Sequence, residues 1–68
     1  MNIKRRILEL LKEGFSQHEI ADILKAEGFH PNSLSSVEKK LRQIKEEYEA
    51  KTLFHLAVLL IKDEYFTL

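Results

Sequence analysis

The sequence predicts an all-α fold of four short helices. Apolar residues recur at spacings of three and four from Ile3 to Ile61, the period of a helix with one buried face. Breaks are few: Gly14 and Gly28 are the only glycines and Pro31 the only proline. A capping residue stands before each periodic block, at Asn2, at Ser16, at one of Asn32, Ser33, Ser35 and Ser36, and at Thr52. No sheet is expected.

The first block carries Ile3, Ile7, Leu10 and Leu11 on one stripe, widened by Leu8, which predicts a helix over 3–13. Gly14 is placed to end it in a left-handed conformation. Its first turn holds Lys4, Arg5 and Arg6, the wrong sign for the helix dipole. Two readings stay open: a tolerated cost of a few tenths of a kcal/mol, or a meeting with a polyanion. The second helix is expected over 16–26. Ser16 and Glu19 have the S-x-x-E spacing of a capping box, and Phe15 with Ile20 that of a hydrophobic staple. Its buried side would be Ile20, Ile23 or Leu24, and Phe15, with small Ala21 admitting a closely crossing neighbour.

Residues 26–35 interrupt the pattern. Pro31 disfavours helical geometry at His30, and Ser35 with Glu38 repeats the capping spacing. The stripe Val37, Leu41, Ile44 and Tyr48 then predicts a helix over 36–49. Its charges are segregated, with Lys39, Lys40, Arg42 and Lys45 in front and Glu46, Glu47 and Glu49 behind. Acidic groups oppose the dipole at a helix C-terminus, so the order is not explained by helix stability; a front half facing phosphates would explain it. Thr52 caps a last helix over 53–65, apolar nearly all round. Leu53, Leu56, Leu60 and Leu59 suffice to close a small core. Phe54, Val58, Ile61 and Tyr65 form a second stripe, with three readings open: an interface between copies, cover for a larger core, or packing on a further domain.

Composition narrows the function classes. Sixty-eight residues make one domain at most, 1–68, with a thin core. Cysteine is absent, which excludes disulfides and thiolate-bound zinc; no metal and no cofactor is expected. The histidines His18, His30 and His55 have no metal-binding spacing and read as surface or cap groups. Neither a glycine-framed serine elbow nor a phosphate-cradling glycine loop is present, so the chain is not expected to be an enzyme, and no small-molecule substrate is evident. Eleven basic and eleven acidic side chains give a net charge of zero, against an indiscriminate polyanion binder but compatible with a reader whose positive charge lies on one face. The longest apolar run is too short to span a bilayer, and no secretory signal is visible. A cytoplasmic, nucleoid-associated bacterial protein with no membrane partner is the expectation, either a stand-alone regulator or a piece of a larger one.

The run GFSQHEIADIL, followed by SSVEKKLRQI and AKTLFHLAVLL, resembles the helix-turn-helix domain of LuxR/NarL (GerE)-type transcription regulators. Leu11, Gly14, Ser16, Glu19, Ile20, Ala21 and Leu24 match the pattern L-x-x-G-x-S-x-x-E-I-A-x-x-L. Ser36-Val37 stands for the family's T-V pair, Lys40 for its histidine, Gln43-Ile44 for N-I and Leu56 for the leucine of the last helix. The resemblance covers almost the whole chain, more specifically in its first half. Three departures stand out. The link between Leu24 and Ser36 is about twice the family's length. Lys4, Arg5 and Arg6 replace the usual proline and glutamates, and Glu38 sits where lysine is common. The E-I-A signature also occurs in sigma-factor DNA-binding regions.

The resemblance implies a four-helix helix-turn-helix domain with a C-terminal dimerisation-type helix, binding double-stranded DNA as a homodimer. It implies base-edge readout by Glu38, Lys39 and Arg42, with Arg42 suited to guanine and Glu38 to a cytosine amine. Ser16, Ser33, Ser36, Lys40, Gln43 and Lys45 would hold phosphates. Phe54, Val58, Ile61 and Tyr65 would form the dimer interface. The alternative is a helical protein–protein module binding through its apolar last helix, the basic face being incidental.

Overall fold

The computed structural model describes residues 2–66, and the chain folds as four helices: α1 Ile3–Lys12, α2 Gln17–Ala26, α3 Leu34–Glu47 and α4 Leu53–Lys62. No strand occurs among the described residues. α2 packs most extensively on α3, α1 rests against α2, and α4 against α3.

Each helix starts on a side-chain cap that satisfies an otherwise orphaned backbone N–H. Asn2 accepts from the Lys4 N–H at 2.8 Å. Ser16 and Glu19 close the reciprocal box, Glu19 N–H to Ser16 Oγ at 3.1 Å and Ser16 N–H to Glu19 Oε1 at 2.9 Å. Thr52 accepts from the His55 N–H at 3.0 Å, while His55 Nδ1 accepts from the Lys51 N–H at 3.0 Å, so this histidine belongs to a cap. For α3 the structure selects among the four candidate caps. The cap is Ser33, accepting from the Ser36 N–H at 3.1 Å, and Ser35 lies inside the first turn. The helix therefore begins two residues earlier than the Ser35–Glu38 spacing indicated.

All four helices end in one way. The residue after each C-cap is left-handed, its N–H bonds back to the second-last helical carbonyl, and the next N–H reaches the third-last, as in a Schellman motif. The left-handed residues are Gly14 (φ 96°), Gly28 (φ 80°), Glu49 (φ 55°) and Glu64 (φ 59°). Phe15 N–H reaches Leu10 O at 3.2 Å, Phe29 reaches Leu24 at 2.9 Å, Ala50 reaches Lys45 at 2.8 Å and Tyr65 reaches Leu60 at 2.9 Å. Two expectations fall here: Glu49 terminates α3 instead of belonging to it, and residues 63–65 form the turn after α4 instead of its last helical turn.

A non-glycine residue in this conformation carries a steric cost that glycine avoids. Glu49→Gly is expected to stabilise the fold by about 0.5–1 kcal/mol, a net of strain relief against the greater entropy of the unfolded chain. Gly14→Ala should destabilise it, although a Cβ at that position would meet open space. Thermal denaturation of both variants checks the pair. A lower midpoint for Glu49→Gly would contradict the assigned backbone.

The core draws on every helix: Ile7, Leu8 and Leu10 from α1, Ile20, Ala21 and Leu24 from α2, Val37, Leu41 and Ile44 from α3, and Leu56 and Leu60 from α4. Phe66, which periodicity did not select, completes it from beyond the last turn. Phe15 is exposed rather than buried and lies outside the core cluster, its N–H held on Leu10 O by the turn after Gly14. Leu59 is half-buried beside Tyr48 and lies outside the core cluster. No helix among the described residues is long and apolar enough to cross a membrane.

Candidate nucleic-acid interface

α3 is buried along Val37, Leu41 and Ile44, which turns Glu38, Lys39, Arg42, Gln43 and Glu46 to solvent. Its cap at Ser33 and its packing on α2 fix that orientation. Two shallow depressions divide the face. One, about 140 Å³, gathers Glu38, Arg42 and Lys45 with Gln17 from the first turn of α2. The other, about 250 Å³, gathers Lys39, Lys40, Gln43 and Ser36 with Pro31 from the link. The candidate base-reading group is thus split: Glu38 and Arg42 lie together, and Lys39 lies with the candidate phosphate group. Ser16 is exposed and serves as the α2 cap. Ser33 borders neither depression; its Oγ lies 2.8 Å from Ser36 Oγ. Gln17 and Pro31 were missed by the sequence reading. The position of Gln17 directly after the Ser16 cap was the available signal for it.

Ion pairing separates the two clusters of positive charge. In α1, Arg6 makes a bidentate pair with Glu27, Nε to Oε1 at 2.9 Å and Nη2 to Oε2 at 2.7 Å. Lys4 Nζ reaches Glu47 at 3.2 Å, and Arg5 lies 3.4 Å from Glu9. Lys4 and Arg6 thus tie α1 to the ends of α3 and α2, while Arg5 pairs within its own helix. Glu47, unfavourable for its own helix, is the partner of Lys4. By contrast, none of Lys39, Lys40, Arg42 and Lys45 makes an ion pair or side-chain hydrogen bond among the described residues. The charge-neutral chain therefore presents four unpaired cations along the solvent side and flanks of α3, with the exposed carboxylates of Glu38 and Glu46 among them.

Two carboxyls titrate below the usual range. Glu27 is lowered chiefly by its hydrogen bonds from Arg6, and Glu19 by the Ser16 backbone N–H and then the Ser16 hydroxyl. A carboxyl depressed in the folded state adds stability above its unfolded pKa, about 4.3 for glutamate, and loses it as pH falls through the folded value. Stability should decline on acidification below about pH 4.3, and Glu27→Gln should show a shallower decline over that window. Denaturant midpoints measured from pH 7 to pH 3 test this; parallel profiles would mean that the Arg6–Glu27 pair does not form in solution.

The second surface lies along α4. A groove of about 450 Å³ runs between α1 and α4, walled by Leu11, Phe54, Ala57, Leu60, Ile61 and Phe66. Lys12 Nζ stands 5.5 Å from the centre of the Phe66 ring. Phe54 is 81% exposed, and Ile61 and Tyr65 are also exposed. Phe54 and Ile61 line the groove, whereas half-buried Val58 and exposed Tyr65 do not. Among the described residues no three acidic or imidazole side chains are grouped to hold a metal ion.

Comparison of the chain with family models, curated proteins and solved structures found no match.

Proposed function

We propose that this chain is a sequence-specific double-stranded DNA-binding module of the helix-turn-helix kind, acting in transcription regulation, with α3 as its reading helix. The observation that carries this reading is the contrast in pairing. Lys4, Arg5 and Arg6 each lie beside an intramolecular carboxylate, whereas Lys39, Lys40, Arg42 and Lys45 have no such partner among the described residues, Lys39 and Arg42 being exposed on α3 and Lys40 and Lys45 half-buried at its flanks. Unpaired cations on one face gain most from phosphate, because no internal partner must be displaced and counterions are released from the DNA. The α2–α3 packing and the Ser16–Glu19 box support the same reading, as does the resemblance to LuxR/NarL-type domains. Arg42 and Glu38, with Gln17 beside them, are assigned to base edges.

A homodimer through α4 completes the proposal. Phe54 projects almost fully exposed at the rim of an apolar groove, so two copies related by a two-fold axis would each offer a ring and receive one. The same symmetry would set two α3 helices in successive major grooves, roughly 34 Å apart, on an inverted repeat. Phe54→Asp tests the interface without touching the core: sedimentation should show a monomer of unchanged helicity with much weaker DNA binding. An unmodified chain that is already monomeric at high concentration would refute the dimer.

The function itself is tested by selection from a pool of random duplexes with the full chain. Enrichment of an inverted repeat is expected. A pool unchanged after several rounds would contradict the proposal and favour a protein–protein module, a reading supported only by the apolar α1–α4 groove.

A further inference from the structure

The long link between α2 and α3, residues 27–33, is a held structure. Gly28 turns it, and Phe29 is fixed by its N–H on Leu24 O and by packing against the core. Asn32 Nδ2 donates to Phe29 O at 2.8 Å and closes the link on itself. Ser33 then caps α3. What this arrangement sets in place is Pro31, one wall of the depression whose other walls are Ser36, Lys39, Lys40 and Gln43. Two lysines, a serine and a glutamine border it, and no acidic residue does. The Ser33 Oγ accepts from the Ser36 N–H, so its own proton can satisfy the Ser36 Oγ and leave the Ser36 proton free to point outward.

We infer that this depression is a seat for one backbone phosphate of duplex DNA, built by the lengthened link, and that Lys39 serves the phosphate rather than a base edge. The inference rests on the DNA-binding reading above. The chemistry fits an anionic tetrahedral oxygen cluster: Lys39 and Lys40 supply charge as flexible point donors, while Ser36 and Gln43 supply neutral donors. A phosphate here would anchor α3 at its front half and leave Glu38 and Arg42, on the neighbouring depression, aimed at the groove floor. Asn32 is a positioning residue, since it fixes the link and contributes no charge.

The test uses the full chain and a duplex of scrambled sequence, with binding measured across a KCl titration. Each phosphate no longer neutralised should make the logarithmic salt dependence shallower by about 0.9. Lys39→Gln combined with Lys40→Gln empties the one seat and is expected to lower the slope by about 0.9 per protomer by that same rule, while Lys62→Gln, on α4, leaves it unchanged. Asn32→Ala should weaken binding several-fold with helicity retained and every charge still present. An unchanged slope in the double lysine variant, or unaltered affinity in Asn32→Ala, overturns the seat while DNA binding stands. A wild-type chain that does not bind the duplex in low salt overturns the DNA reading and the seat together.

Discussion

Leu24→Ala is expected to remove a large share of the stability of the fold, about 2–5 kcal/mol. Leu24 is fully buried and sits at the joint of the fold, where its carbonyl receives the Phe29 N–H and its side chain enters the common core. Removing a buried leucine side chain costs about 2–5 kcal/mol in lost transfer energy and residual cavity. A domain of this length holds only roughly 3–10 kcal/mol in total, and a thin core has few neighbours able to collapse into the gap. Urea denaturation followed by circular dichroism measures the loss. Phe54→Ala provides the contrast: with its ring in solvent, the change should fall within about 0.5 kcal/mol. A cost below about 1 kcal/mol for Leu24→Ala would place it outside a tightly packed core.

Arg42→Ala should produce the largest effect on DNA. The guanidinium is exposed, unpaired and grouped with Glu38, Lys45 and Gln17. A bidentate arginine–guanine contact is worth about 1–3 kcal/mol of discrimination, and a two-fold complex contains two copies, so about 2–6 kcal/mol on the selected site follows from the same figure. Preference at one base pair of each half-site should relax, while binding to scrambled duplex changes little beyond one phosphate-range charge. Titration of selected and scrambled duplexes against both proteins separates the cases. Equal weakening on both would assign Arg42 to the backbone.

The all-α class and the starts of α1, α2 and α4 were legible in the sequence because their signals are local. Asn2, Ser16 with Glu19, and Thr52 act within one helical turn. Gly14 and Gly28 announce left-handed ends because glycine alone takes that conformation without cost. The ends of α3 and α4 were not legible: Glu49 and Glu64 fill the same backbone role with a side chain that gives no hint of it. Competing serines hid the start of α3, where only the folded link selects Ser33 over Ser35. Phe66 escaped because it follows a chain reversal, where periodicity no longer relates sequence to face.

The site was half legible. The basic front of α3 was visible as a charge run, but whether a cation is free depends on partners far along the chain. Arg6 finds Glu27 and Lys4 finds Glu47 only after α1, α2 and α3 assemble. The separation of Lys39 from Glu38 and Arg42 likewise arises from Pro31 and Gln17, contributed by other segments.

Salt dependence of binding tests the central claim most directly. The full chain, titrated against the selected duplex and its scrambled counterpart from about 50 to about 200 mM KCl, should lose affinity steeply on both, as counterion release requires. The selected duplex should remain the tighter ligand at every concentration. Binding that is indifferent to salt, or absent at the lowest salt, would contradict the assignment of α3 as a DNA-reading helix.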